Sequence, residues 1–448
     1  MPIRDLIIVA IVFSAAIMAL RRPWIGVMLW TWISVMSPHR FTWGFAYSLP
    51  VAMIAALAVL SGLLFTRDRE FPVKGAAVGW LIAFAILMTT SWIFGMDPSE
   101  DFAQWDKVMK IYVMTLVALA LLRNKYHIMA FAWVTIASLG ILGIKTGIFT
   151  ALGGGKNKVW GPEGSFIYDN NEFGLAMIMT IPLLHFLQLQ VRSRLVKHTL
   201  SFTMLMCFAA ALGTHSRGAI LAAGAMAVMF WVRSRNKGAI GLLILLGLVA
   251  ILPVMPQEWW DRMATIREYQ DDGSAMGRIN AWGVAFEVAK HNLFGGGMSY
   301  QYQLFFSLYG VYENIVRAAH SIYFQILGNH GFIGLFLYMG IWFSTYRTAG
   351  WLRQNARSEP QAAWAAELGA MVQVSLIGFA VGGAFLSLAY YDLPYNMMVM
   401  VVLARAWVMT RGWERDPQVG FLEYCGLRRA ASADRSGQTS APQQPRKV

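Results

Sequence analysis

Residues 171–197 read NEFGLAMIMTIPLLHFLQLQVRSRLVK. The first twenty hold no Lys or Arg and a single carboxylate, Glu172, at their start. At 1.5 Å per residue, about twenty apolar residues cross a hydrocarbon core of roughly 30 Å. Arg192, Arg194 and Lys197 follow at once. Because Lys and Arg gather in cytoplasmic loops, this order predicts a transmembrane helix whose far end is cytoplasmic.

The same pattern repeats in both directions. Apolar stretches lie near 3–20, 23–36, 47–66, 75–96, 105–122, 127–147, 171–190, 198–213, 217–232, 238–255, 320–347, 363–389 and 393–410. Basic clusters alternate with them at Arg67, Arg69 and Lys74, at Arg123 and Lys125, at Arg233, Arg235 and Lys237, and at Arg347, Arg353 and Arg357. The expected fold class is therefore an all-α integral membrane protein with about 12 transmembrane helices and a long periplasmic loop that contains helices. Only 14% of the 448 residues are charged and 57% are hydrophobic, which excludes a soluble globular chain; the net charge of +13 reads as topology before nucleic-acid binding.

Residues 3–36 leave two options. The 14 residues of 23–36 reach only about 21 Å, so the segment crosses once as two broken halves, or twice as a tight hairpin around Arg21 and Arg22. Arg21, Arg22 and Pro23 follow the first apolar run without a small-residue cleavage site, so it reads as a retained segment. Two cysteines, Cys207 and Cys425, offer neither a disulfide framework nor a Cys-based metal site. The expected organisation is N-terminal transmembrane helices over 1–255, a periplasmic loop over 256–319 with an amphipathic helix at 275–290, C-terminal transmembrane helices over 320–410, and a basic, largely disordered cytoplasmic tail over 411–448.

Ionisable residues inside a span are costly and mark function, but here they are few and sit near span ends. This argues against a proton-coupled transporter. Polar and Gly-rich material gathers instead on the outer side, at 148–172, 213–218, 256–320 and 390–396. In loop 256–319, five cations face seven carboxylates. There Asp271-Asp272-Gly273-Ser274 reads as a turn and helix N-cap, followed by a helix with Met276, Ile279 and Phe286 along one face and Arg278 in its first turns, beside Trp282. Gly295-Gly296-Gly297 ends that helix and lets backbone pass close to a ligand or another helix. Gly213-Thr214-His215-Ser216-Arg217-Gly218 is a tight outer turn. Arg217 is either a snorkelling surface residue or an anion clamp at a helix N-terminus. The outward histidines are His39, His215, His291 and His320, any of which can exchange a proton near neutral pH.

His320-Ser321-x-x-x-Gln325-x-Leu327-Gly328-x-x-Gly331-x-x-Gly334 after a long outer loop, with Ser216-Arg217-Gly218 upstream, resembles the O-antigen ligase and polymerase superfamily. Asp169-Asn170-Asn171-Glu172 resembles its Asp-x-Asn element, and Arg21–Trp24 with Ser37–Gly44 resembles the exosortase-associated branch. The resemblance implies a lipopolysaccharide O-antigen ligase: a polyprenyl-diphosphate-dependent glycosyltransferase of the bacterial inner membrane. It would move an undecaprenyl-diphosphate-linked glycan to a lipid A-core sugar hydroxyl on the periplasmic side, inverting and without metal or cofactor. Under it, Arg217 and Arg278 bind the diphosphate, His320 is the general base, and Asp392 in Tyr390-Tyr391-Asp392-Leu393-Pro394 orients His320 or binds sugar. Asp169, Asn171 and Ser216 are further site candidates. Outward carboxylates at Asp169, Glu172, Asp271 and Asp272 keep a metal-dependent reading open. Polymerase, protein O-glycosylation ligase and anion permease are the competing functions.

Overall fold

The computed structural model describes residues 3–67, 69–70, 75–233, 237–238, 241–242, 257, 260 and 273–417. The described residues form α-helices and 3-10 turns and no strand. The helices are α1 (Ile3–Arg21), α2 (Pro23–Met36), α3 (Val51–Phe65), α4 (Ala76–Ile93), α5 (Pro98–Leu121), α6 (Lys125–Leu152), α7 (Asn170–Gln190), α8 (Arg194–Gly213), α9 (Arg217–Arg233), α10 (Gly273–His291), α11 (Gln303–Tyr309), α12 (Ile322–Asn355), α13 (Ala363–Gly383) and α14 (Asp392–Met409). Seven of them, α1, α4, α6, α7, α8, α12 and α13, are long and apolar enough to cross a membrane, while α2 and α3 are apolar but shorter. The expected span at 238–255 falls almost entirely outside the described residues.

The α1–α2 segment is a hairpin. Buried Asp5, at the start of α1, accepts the Ala46 amide at 2.9 Å beyond the end of α2. The two helices therefore run antiparallel about Arg22. They close with α3 on a small core of their own that includes Val12, Leu29, Ile33 and Ala55. The remaining long helices share the main core, in which α6 packs on α8, α7 on α8 and α13, and α12 on α4 and α13. Large apolar side chains on α1, among them Ile7, Phe13 and Ile17, point outward, as a lipid-facing surface requires.

Two expectations are corrected. The face of α10 that is buried is Ala281, Val284, Ala285 and Val288, whereas Ile279 and Phe286 are exposed. Small residues let α10 approach α12 closely: a Cβ at Gly328 would lie 2.6 Å from the Tyr300 ring and 3.0 Å from Ala285. Gly273 already opens α10, so Ser274 sits inside the helix; Asp271 and Asp272 lie outside the described residues.

α12 is broken at Gly331, whose φ of 68° and ψ of −172° are not helical. A broken helix frees carbonyls that must find new donors. Here the Gly295–Gly297 run supplies them: the Gly296 amide bonds the Gly328 carbonyl at 2.9 Å and the Gly297 amide bonds Asn329 at 3.1 Å. Asp101 of α5 pins the same run, accepting Met298 N at 2.6 Å and the Tyr302 hydroxyl at 2.9 Å. A Cβ at Gly331 would meet the Leu293 carbonyl at 2.5 Å. Gly331→Ala should therefore lower stability by about 1–3 kcal/mol from backbone strain alone, and by more once the clash is added. Thermal unfolding of purified protein measures this, and an unchanged midpoint would mean that the break is not held as described.

Candidate active site

One end of the bundle gathers the polar residues. Asp169 caps α7, accepting the Asn171 amide and the Asn171 side chain, each at 2.9 Å. Asn170 Nδ2 donates to the Thr214 carbonyl at 2.6 Å, which ties the start of α7 to the 213–218 turn. Gly174 permits the contact, since a Cβ there would lie 2.6 Å from Thr214 Oγ1. In that turn buried Ser216 accepts the Ala219 amide at 3.3 Å and so caps α9, placing half-buried Arg217 as its first residue. Buried Glu172 accepts the Ser387 amide at 3.3 Å, which brings the α13–α14 connection to the same place.

His320 completes this group from the other side. It sits just before α12 with a left-handed φ of 44°, a conformation that side chains with a Cβ adopt at a cost. Trp282 of α10 holds it there: its indole N–H donates to the Ala319 carbonyl at 2.7 Å and its ring stacks on Phe324 at 5.0 Å and 6°. Because Arg278 precedes Trp282 by one turn of α10, the same contact sets Arg278 beside His320. The Arg278 and Arg317 guanidinium groups and the Asp169 carboxylate are the charges that act on the imidazole. Burial, then Arg278, push the His320 pKa below its ordinary 6.5, with Asp169 opposing and Arg317 adding to the effect. Burial works against the Asp169 carboxylate, but hydrogen bonding with Glu172 and Asn171 and the nearby imidazole hold it below the usual carboxylate range. The downward shift favours the neutral ring near pH 7, and among the described residues its buried Nδ1 has no hydrogen-bond partner.

The other candidate histidines differ. His215 is buried and its Nε2 donates to the Gly155 carbonyl at 2.7 Å. His291 Nδ1 bonds the Glu287 carbonyl at 2.9 Å, and its ring stacks on Tyr309. Among the described residues His39 Nδ1 also lacks a hydrogen-bond partner, but the charge that acts on its ring is Arg40.

His320, Arg278 and Asp169 are thus brought together, and Asn171, Ser216 and the Arg217 turn are tied to Asp169 through α7. Asp392 is placed elsewhere: buried at the start of α14, it accepts the Ser34 hydroxyl and faces the Lys107 ammonium. Lys107 also donates to the Gly164 carbonyl at 3.1 Å. Arg317, the pairing of Glu172 with Asp169 and the anchoring role of Trp282 are features that the sequence motifs did not reveal. Among the described residues no three of His, Cys, Asp and Glu gather as a metal site, and Asp169 with Glu172 makes only a pair.

Trp282→Phe keeps the ring on Phe324 but strands the buried Ala319 carbonyl, a loss of about 1–3 kcal/mol. Thermal unfolding of the purified protein measures this loss. An unchanged midpoint would remove Trp282 from this role.

Residues 202–339 match the family model described as O-Antigen ligase, a range that takes in Arg217, Arg278, His320 and the α12 break. Residues 3–191 match a family of unknown function, DUF5935, a range that includes Asp169. Asp392 lies outside both ranges. No curated protein matches the chain.

Proposed function

We propose that this chain, which belongs to the O-antigen ligase superfamily, transfers a glycan from an undecaprenyl-diphosphate carrier to a lipid A-core sugar hydroxyl on the periplasmic side of the bacterial inner membrane. The site end of the bundle faces the periplasm, about 12 helices cross, and the C-terminus is cytoplasmic, in keeping with the basic clusters at the opposite helix ends. The observation that carries the reading is His320 set between Arg278 and Asp169, with a buried Nδ1 that has no hydrogen-bond partner among the described residues.

In the proposed reaction the acceptor hydroxyl loses its proton to His320 as its oxygen attacks the anomeric carbon. The bond to the carrier diphosphate breaks, and configuration inverts because attack comes from the opposite face. Arg278, and Arg217 at the α9 N-terminus, take up the negative charge on the leaving diphosphate. Ser216 positions Arg217, and Asn171 holds Asp169 toward His320. Asp392, on the Ser34 and Lys107 side, is assigned to binding sugar. The α12 break does not favour a permease, because its freed carbonyls are sealed by the protein's own glycine run.

Deleting the gene and resolving the lipopolysaccharide tests the reading. Loss of every capped chain is expected. Single-repeat capping would instead mean a polymerase, and an unchanged pattern would favour protein glycosylation or transport. With two arginines stabilising the leaving group, purified enzyme should also form product in excess EDTA. Abolition by the chelator with rescue by magnesium or manganese would return attention to Asp169 and Glu172.

A further inference from the structure

Asp169 caps α7 and Glu172 stands three residues on, the spacing at which the N-cap and N3 side chains come together at a helix start. Glu172 is buried and Asp169 half-buried, and each carboxyl lies within hydrogen-bond reach of the other. Two ionised carboxylates so placed repel, and neither has a hydrogen to share, so the contact holds only when one of them carries a proton. The donors around each decide which one. Asp169 Oδ1 accepts both the Asn171 amide and the Asn171 side chain at 2.9 Å, and the His320 imidazole is its charged neighbour. Glu172 has far less. Its Oε1 takes the Ser387 amide at 3.3 Å, and its buried Oε2 meets no donor among the described residues. A buried carboxylate needs donors. The free amides of the first turn favour a negative charge there, but Asp169 already supplies one, and this dipole effect is smaller than the cost of a second buried charge.

We propose that Glu172 is a positioning acid that keeps its proton, donates it in a hydrogen bond to Asp169, and rests its other oxygen on the Ser387 amide. Asp169 is thereby fixed against both α7 and the connection that precedes α14, and the pair presents one negative charge to His320 instead of two. A second charge would repel the donor diphosphate. The shared proton also takes the place in which a divalent cation would bridge the two carboxylates. The positioning role rests on the glycosyl-transfer reading; the protonated pair does not.

The experiment uses the full chain in detergent at pH 7. An infrared difference spectrum in heavy water, wild type minus Glu172→Gln, reads the C=O stretch of a protonated carboxyl; the other buried acids, Asp5, Asp101 and Asp392 among them, are common to both proteins and cancel. The acid band should be present in the wild type and lost in the variant. Gln keeps the shape, donates an N–H to Asp169 and still accepts from Ser387, so Glu172→Gln should transfer glycan within a few-fold of the wild type. Glu172→Ala should slow transfer by up to about 10²-fold, because Asp169 is no longer held in place. Should the Ala variant fail to insert, the spectrum and the Gln variant still decide. A difference spectrum without the acid band, a band that appears only after EDTA, Glu172→Gln slowed as much as Glu172→Ala, or neither variant slowed would overturn the proposal. The spectrum needs no substrate, so a chain that shows the band but transfers no glycan would keep the protonated pair and sink the glycosyl-transfer reading instead.

Discussion

His320→Ala should insert and bind donor yet lose transfer by about 10²- to 10⁴-fold, the usual worth of a general base. His215→Ala and His291→Ala should lose far less, since their ring nitrogens serve backbone carbonyls. The pH profile supplies a second readout. Protonating the base stops transfer, so activity falls as pH drops through its pKa. Burial and Arg278 hold that pKa below 6.5; the acid limb should accordingly lie lower than for an ordinary imidazole, with activity flat around pH 7. More than about a tenth of the activity in His320→Ala, or donor binding lost in step with transfer, would make His320 a binding or structural residue. Asp169 would then be the next base to test.

Arg278→Ala and Arg217→Ala should each slow transfer by about 10²- to 10³-fold, the cost of removing one donor from a developing anion. Lys at either position should restore only part of the rate, lacking the planar fork. The two are separable. Arg278 is one of the charges that lower the His320 pKa, so Arg278→Ala should also move the acid limb of the profile upward. Arg217 is not among those charges, so its variant should leave the limb in place. Near-normal transfer by properly inserted Ala variants would remove both from the leaving-group role.

Helix positions were legible because an apolar run of spanning length has few other uses; the break at Gly331, inside the single expected span 320–347, was not. Which face a helix buries was less legible. Ile279 and Phe286, the large apolar residues of α10, are exposed, and the close contact falls to Ala281, Val284 and Ala285. The α1–α2 question could not be settled from composition, because hairpin and broken helix have the same hydropathy; one hydrogen bond from Ala46 to Asp5 decides it. His320 and Arg278 could be singled out individually, but their juxtaposition depends on Trp282 reaching Ala319, a contact 37 residues apart that no local pattern announces. Asp392 is the converse case. The resemblance left it either orienting His320 or binding sugar; in the fold its carboxylate accepts the Ser34 hydroxyl.

The glycine run that seals α12 also sets the rules for exchanging the outer loop between relatives. Residues 292–302 belong mechanically to the helix they cover and to Asp101 of α5. A graft that replaces all of 256–319 would leave the carbonyls of Gly328 and Asn329 without donors inside an apolar bundle, and chimeras built that way would fail at insertion rather than in specificity. Splice points should leave 292–302 with the recipient.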